Sequence, residues 1–136
     1  MNQWLLPAIA CLTMWGISRF FPKLATNHID PHSAFFYEVM GEVIVAFGIL
    51  VMIGFKPNFE WRGASFALIG GVFGGLGVLF YLLAAGRGNV SQLVVVSSLY
   101  PIITVLLGVV LLKEQMHLKQ WIAMGLGLLA IALVST

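Results

Sequence analysis

Apolar residues run through this chain in five long windows, separated by short clusters of charge, proline, glycine and asparagine. The windows cover about residues 4–21, 33–55, 64–86, 91–112 and 118–134. The first holds no charge until Arg19, the second carries Glu38 and Glu42, and the third and fourth carry none. About 20 apolar residues in a helix cross a hydrocarbon core ~30 Å thick, so each window predicts a transmembrane helix. The interruptions supply turn chemistry. Pro22 and Pro31 bracket the first loop, with Lys23, Asn27 and Asp30 between them. Lys56-Pro57-Asn58 closes the second helix, Gly86-Arg87-Gly88-Asn89 makes a tight turn after the third, and Lys113-Glu114-Gln115 joins the last two. Trp4, Trp61 and Trp121 fall near window edges, where amphipathic rings favour the headgroup level.

Composition turns these windows into a fold class. Hydrophobic residues make up 60% of the chain and charged residues 9%, with a mean hydropathy of +1.01. A soluble domain carries about 25% charged residues, so this chain has no polar shell with which to face water. The expected fold is all-α: one polytopic membrane domain over residues 1–136 with five transmembrane helices. A first window preceded only by Met1-Asn2-Gln3, with no Lys or Arg, reads as a retained helix rather than a cleaved leader. A net charge of +2 without a basic run excludes nucleic acid as a partner. The lone Cys11 excludes an internal disulfide and packs as a small hydrophobe.

No loop is long enough for a water-soluble catalytic domain, and the chain has no nucleophile–base pair and no phosphate-cradling loop. Neither enzyme chemistry nor a cofactor is expected. His28-Ile29-Asp30-Pro31-His32 has ligand-like side chains, but a metal site needs three or four convergent ligands, so a solvated loop is expected. Glu114, His117 and the neighbouring lysines read as a capped, water-facing turn. Function therefore has to lie inside the membrane.

There, the informative pair is Glu38 and Glu42, spaced to share one helix face. With entry into the hydrocarbon near Ser33, they lie about 7 Å and about 13 Å deep at ~1.5 Å per residue. An ionised side chain near the midplane costs on the order of 3 kcal/mol or more, so such acids usually face a cavity or a partner. A carboxylate in low dielectric also takes up a proton more readily than in water, which suits a proton carrier. Glu38 either pairs with Arg19 of the first helix or joins Glu42 on a transport path. Pro101 removes a donor from the fourth helix and frees the carbonyl of Ser97, so Ser97, Ser98, Tyr100 and Thr104 mark either a polar, bendable wall or a static kink. Gly70/Gly74 and Gly71/Gly75 are small-xxx-small pairs for close helix packing. Trp15, Tyr37 and Tyr81 are aromatic cavity walls or ordinary packing.

Orientation is nearly balanced. Lys56, Arg62, Lys113 and Lys119 fall on the N-terminal side, and Arg19, Lys23 and Arg87 on the other. A small excess places the N-terminus in the cytoplasm; dual insertion is the alternative.

Several segments together resemble a known family. They are Trp15-Gly16-Ile17-Ser18, Tyr37-Glu38-Val39-Met40-Gly41, Tyr81-Leu82-Leu83-Ala84-Ala85-Gly86, Leu99-Tyr100-Pro101-Ile102-Ile103-Thr104 and Trp121-Ile122-Ala123-Met124-Gly125. In that order they resemble the EamA-like domain of the drug/metabolite transporter superfamily, over essentially the whole chain. The resemblance implies half of a ten-helix inverted-repeat architecture, here in its short, single-copy form. It implies a multi-pass protein of the cell (inner) membrane that moves a small organic metabolite or drug by alternating access, by proton coupling or exchange. It further implies a homodimer, antiparallel in one version, or a heterodimer with a sister chain. A non-transporting helper or flippase-type subunit is the alternative. Many relatives carry a basic residue where this chain has Tyr37-Glu38, and the acidic helix here points instead to cationic, zwitterionic or proton-coupled cargo.

Overall fold

The computed structural model of the chain describes residues 4–135. Among them, every regular element is an α-helix: α1 (Leu5–Ser18), α2 (Phe21–Thr26), α3 (Pro31–Met52), α4 (Trp61–Ala85), α5 (Val90–Ser97), α6 (Tyr100–Leu111) and α7 (Leu118–Ser135). The fourth window contains two helices because a proline divides it, and a second proline starts a short helix directly after the first window. Pro22 and Pro101 sit in the first turns of α2 and α6, where a missing N–H breaks no helical bond. Leu5–Thr26, α3, α4 and Val90–Leu111 are 22, 22, 25 and 22 residues long, apolar enough to cross a bilayer. The fifth window is α7, 18 residues long, with a rise of about 27 Å.

Two boundaries differ from the sequence expectation. Pro22 and Lys23 were expected in the first loop, yet both lie in α2, and the connection shrinks to residues 27–30. Proline starts a helix as readily as it ends one, and here it starts one. Helix α4 begins at Trp61, ahead of the apolar window, because the Glu60 carboxylate accepts the N–H groups of Arg62 (3.0 Å) and Gly63 (2.6 Å). Asp30 caps α3 in the same way, accepting from His32 N–H (3.0 Å) and Ser33 N–H (3.1 Å). Helix α3 ends at Met52, ahead of the expected Lys56-Pro57-Asn58, because it closes in a Schellman turn. Phe55 N–H donates to the Leu50 carbonyl (2.9 Å) and Gly54 N–H to that of Val51 (3.0 Å). Gly54 takes the left-handed φ of +63° that such a turn requires. At the start of α7, Gln120 Oε1 accepts the N–H of His117 at 2.8 Å, the capped turn expected there.

The chain divides into two compact units, Met1–Arg87 and Gly88–Thr136. The first contains α1 to α4, and its packed centre lies where α2 and the start of α3 meet the C-terminal half of α4. Ala34, Val78 and Leu82 form the core there, with Ala25 and Phe35 against it. Tyr81 and Ala85 are buried on the same stretch of α4. Helix α4 ends as close to α3 as glycine allows: a Cβ on Gly86 would stand 3.3 Å from Pro31 Cγ. The glycines farther up α4 behave otherwise. Gly75 faces the Phe35 ring, at 3.9 Å from an added Cβ, but one on Gly70, Gly71 or Gly74 would meet nothing within 4 Å. Along those pairs α4 therefore makes only an ordinary contact with α3, at Gly75, because α3 meets α4 nearer its C-terminal end.

The second unit contains α5, α6 and α7, with α5 packed on α7. In both units large apolar side chains stay uncovered; Leu6 of α1, Ile44 of α3 and Phe73 of α4 are 78%, 70% and 71% exposed. In lipid such surface is solvated, and helices are held by contact and hydrogen bonds instead of by escape from water.

Candidate functional site

The chemistry of the first unit gathers at the end where α1 breaks. A groove of about 330 Å³ opens there, walled by Phe21, Pro22 and Ala25 of α2 and Leu82 of α4. Ser18 of α1 and Tyr37 and Glu38 of α3 give it a polar edge. Each wall follows from local sequence. The proline-divided first span brings α2 over the groove, and the Asp30 cap fixes where α3 starts, so Ala34, Tyr37 and Glu38 fall on the groove side at helical spacing. Glu38 is half-buried, whereas Glu42, one turn deeper and at the middle of α3, is exposed.

The ion pair expected between Glu38 and Arg19 is not formed. Among the described residues the one acid–base contact within 4.0 Å joins Asp30 to His32, at 3.6 Å. The Arg19 guanidinium instead lies over the Tyr81 ring, 5.3 Å from its centroid. The Tyr81 hydroxyl donates to the Arg19 carbonyl at 3.0 Å. One residue of α4 thus holds both backbone and side chain of the residue that ends α1. Glu38 remains within electrostatic reach of Arg19 and Glu42, and Tyr81 within reach of Arg19 and Glu38. Lys23, one turn on, donates from Nζ to the Ala85 carbonyl at 2.9 Å. A cation at the C-terminus of α4 also meets the negative end of the helix dipole.

These contacts had no sequence signal. Both hydrogen bonds, Tyr81 to Arg19 and Lys23 to Ala85, join residues 62 positions apart. Ser18 was missed as a groove residue for the same reason; its hydroxyl also donates to the Trp15 carbonyl at 3.0 Å. Trp15 itself is 53% exposed and is not on the groove.

The second unit has its own groove of about 400 Å³, lined by Ser98 and Pro101 at the helix break and by Met116, Gln120 and Met124. Of the polar wall expected here, Ser98 lines the groove, but Ser97, Tyr100 and Thr104 do not. The serine and threonine hydroxyls turn back on the backbone one turn earlier. Ser97 and Ser98 donate to the Val94 carbonyl (3.0 and 2.7 Å), and Thr104 to that of Tyr100 (3.4 Å). In an apolar solvent a hydroxyl is satisfied most cheaply this way, and the bonds stabilise the interrupted turn around Pro101.

Outside the spans, hydrogen bonds from the Ser33 side chain and backbone hold the Asp30 carboxyl below the usual aspartate range. The N–H groups of Gly63 and Arg62 do the same for Glu60. Both acids are helix caps, and their negative charge is engaged in that role. The loop flanked by His28 and His32 is thus built around a cap.

A polytopic helical chain with an acid-edged groove in one span fits many membrane families, and sequence comparison decides among them. The EamA-like transporter family matches residues 2–136. The chain belongs to that family. This EamA-like chain is 28% identical over 123 residues to an uncharacterized protein of Methanocaldococcus jannaschii, covering 89% of its own length and 88% of that protein. It is 26% identical over 125 residues to uncharacterized transporters from two strains of Helicobacter pylori. There the match covers 89% of this chain and 41% of the relative, so the EamA-like chain spans less than half the length of those transporters. No solved structure matches it. Membership makes it a multi-pass membrane protein of a family of drug/metabolite-type transporters, and points away from enzymatic function.

Proposed function

We propose that the chain is a transporter half-unit: a single EamA-like domain over residues 1–136 that moves a small organic metabolite or drug by alternating access. Proton coupling or exchange drives the cycle, and the cell (inner) membrane is its site. The observation that carries this reading is Glu38, a half-buried carboxylate at the edge of the first-unit groove. It lies in a transmembrane helix with no cation within 4.0 Å among the described residues. An acid held in that setting is costly unless it exchanges its charge with a proton or a cargo. The groove's apolar walls with one carboxylate suit a small organic solute bearing positive charge.

A second copy, antiparallel or parallel, or a sister chain completes the chamber. Support comes from length, since the chain matches 41% of the Helicobacter transporters. An odd number of spans in a repeat also inverts the next copy relative to the first.

The test is purified protein in liposomes loaded with a pH-sensitive dye, challenged with a panel of organic cations, zwitterions and neutral solutes. At least one solute should drive proton movement, and Glu38→Gln should abolish it while leaving assembly intact. Glu42→Gln measures the share of the deeper acid. Absence of flux across the panel, together with co-purification of a stoichiometric foreign membrane protein, would establish the helper-subunit reading instead.

A further inference from the structure

The Arg19 side chain forms no ion pair within 4.0 Å among the described residues. Its backbone is fixed through the carbonyl by the Tyr81 hydroxyl (3.0 Å), and α1 ends at Ser18, so the side chain alone is left to move. It rests on an aromatic face, an attraction that holds a guanidinium without neutralising it. Glu38 lies in its field across the groove edge, beyond ion-pair distance.

We infer that Arg19 is a tethered counter-ion for Glu38: it stays on Tyr81 while Glu38 is protonated or holds cationic cargo, and swings onto the carboxylate when Glu38 is ionised and empty. The inference adds to the carrier reading and rests on it for its consequence, although the swing itself does not depend on transport. In the coupled cycle the carrier returns with a proton or cargo on Glu38; one that returned empty and ionised would bring an uncompensated charge into hydrocarbon. A built-in cation removes that obstacle, so the empty unit can reorient and the protein can sustain net movement beyond one-for-one exchange. Arg19 is a positioning residue in this scheme and need not touch cargo.

The other charged and titratable groups around Glu38 are few. Helix α2 supplies Lys23, whose Nζ is hydrogen-bonded to the Ala85 carbonyl. Helix α4 supplies Tyr81, and α3 itself carries Tyr37 beside Glu38 on the groove edge, Glu42 one turn deeper and His32 near its start, beside the Asp30 cap. Arg19 is the cation whose side chain is anchored by a ring face.

The deciding measurement needs no substrate. The chain has three arginines, Arg19, Arg62 and Arg87, so isotope-labelled arginine gives few side-chain resonances for the full-length protein in lipid nanodiscs. Arg19→Lys assigns the signal of interest. At acid pH the Arg19 side chain should show the upfield ring-current displacement of a group stacked on Tyr81. A sweep from about pH 4 to about pH 9, across the range where protein carboxyls ionise, should remove it. Glu38→Gln should keep the stacked signal throughout, and Glu42→Gln should behave as wild type. A wild-type signal that stays stacked at every pH overturns the inference, as does locking by Glu42→Gln rather than Glu38→Gln. A second arm uses tetraphenylphosphonium as an apolar monocation in proteoliposomes. Arg19→Gln should cut net uptake about tenfold, the factor set by a charge pair worth one pK unit, and leave counterflow near wild type. Equal loss of both overturns the proposed return step. If wild type moves no tetraphenylphosphonium, the cation-carrier reading fails for this probe, while the resonance data still decide the swing.

Discussion

Tyr81 is the residue whose replacement most directly tests how the first unit is held together. It makes two separable contacts with Arg19, a hydrogen bond from its hydroxyl at 3.0 Å and a ring face 5.3 Å from the guanidinium. It is also one of the few buried side chains, 7% exposed. Tyr81→Phe removes only the hydroxyl. A net hydrogen bond contributes about 1 kcal/mol in proteins generally, and measured side-chain bonds in membrane helices average about 0.6 and reach about 1.7 kcal/mol. A loss of ~1 kcal/mol is therefore expected for Phe. Tyr81→Leu removes the ring as well, adding the cation–π term of about 0.5–2 kcal/mol for a partly desolvated site and some packing around Val78 and Leu82. The Leu variant should lose about 2–3 kcal/mol in total, the sum of those contributions. Reversible unfolding in mixed micelles, followed by far-UV circular dichroism, reads both. In an Arg19→Gln background the difference between Phe and Leu should shrink, because the cation that distinguishes them is gone. Indistinguishable Phe and wild-type stabilities would remove the hydrogen bond as a support. A Phe–Leu difference that persists without Arg19 would assign the ring's role to packing alone.

The remaining predictions concern helix ends. Lys23→Met should cost on the order of 1 kcal/mol in the same unfolding assay, by deleting the Nζ bond to the Ala85 carbonyl; no loss would mean that α2 is held by apolar contact alone. Asp30 has its carboxyl pKa lowered by its Ser33 and His32 bonds, so the cap's contribution is complete above the ordinary aspartate range and is lost as pH falls through the lowered folded value. Amide hydrogen exchange at His32 and Ser33 should accelerate over that acid range beyond its intrinsic pH dependence, and Asp30→Ala should abolish the effect. Pro101→Ala restores an N–H opposite the Ser97 carbonyl, so the new amide should be protected from exchange as α5 and α6 join. If that restored amide exchanges freely, something other than proline makes the break.

The helices themselves were written in the chain. Continuous apolar windows and the turn residues between them locate the helices, because backbone groups in lipid must be satisfied locally, whereas the Asp30 and Glu60 caps and the helix start at Pro22 emerged only in the structure. The same logic made the turn at Gly86-Arg87-Gly88-Asn89 readable, but not the Gly54 turn that ends α3 ahead of the expected Lys56-Pro57-Asn58. Facing was not legible. When lipid and neighbouring helices are equally apolar, a span needs no polar side to mark its outside, so periodicity does not say which face packs inward. Glu38 and Glu42 are equivalent by spacing, yet the placement of α2 and α4 puts Glu38 on the groove and leaves Glu42 exposed. Arg19 was matched to Glu38 by shared depth, and an aromatic ring 62 residues away took it instead. Gly70 and Gly74 had the spacing for close packing, but α3 crosses elsewhere. Local chemistry fixed the segments, and long-range contact alone chose which of their side chains meet.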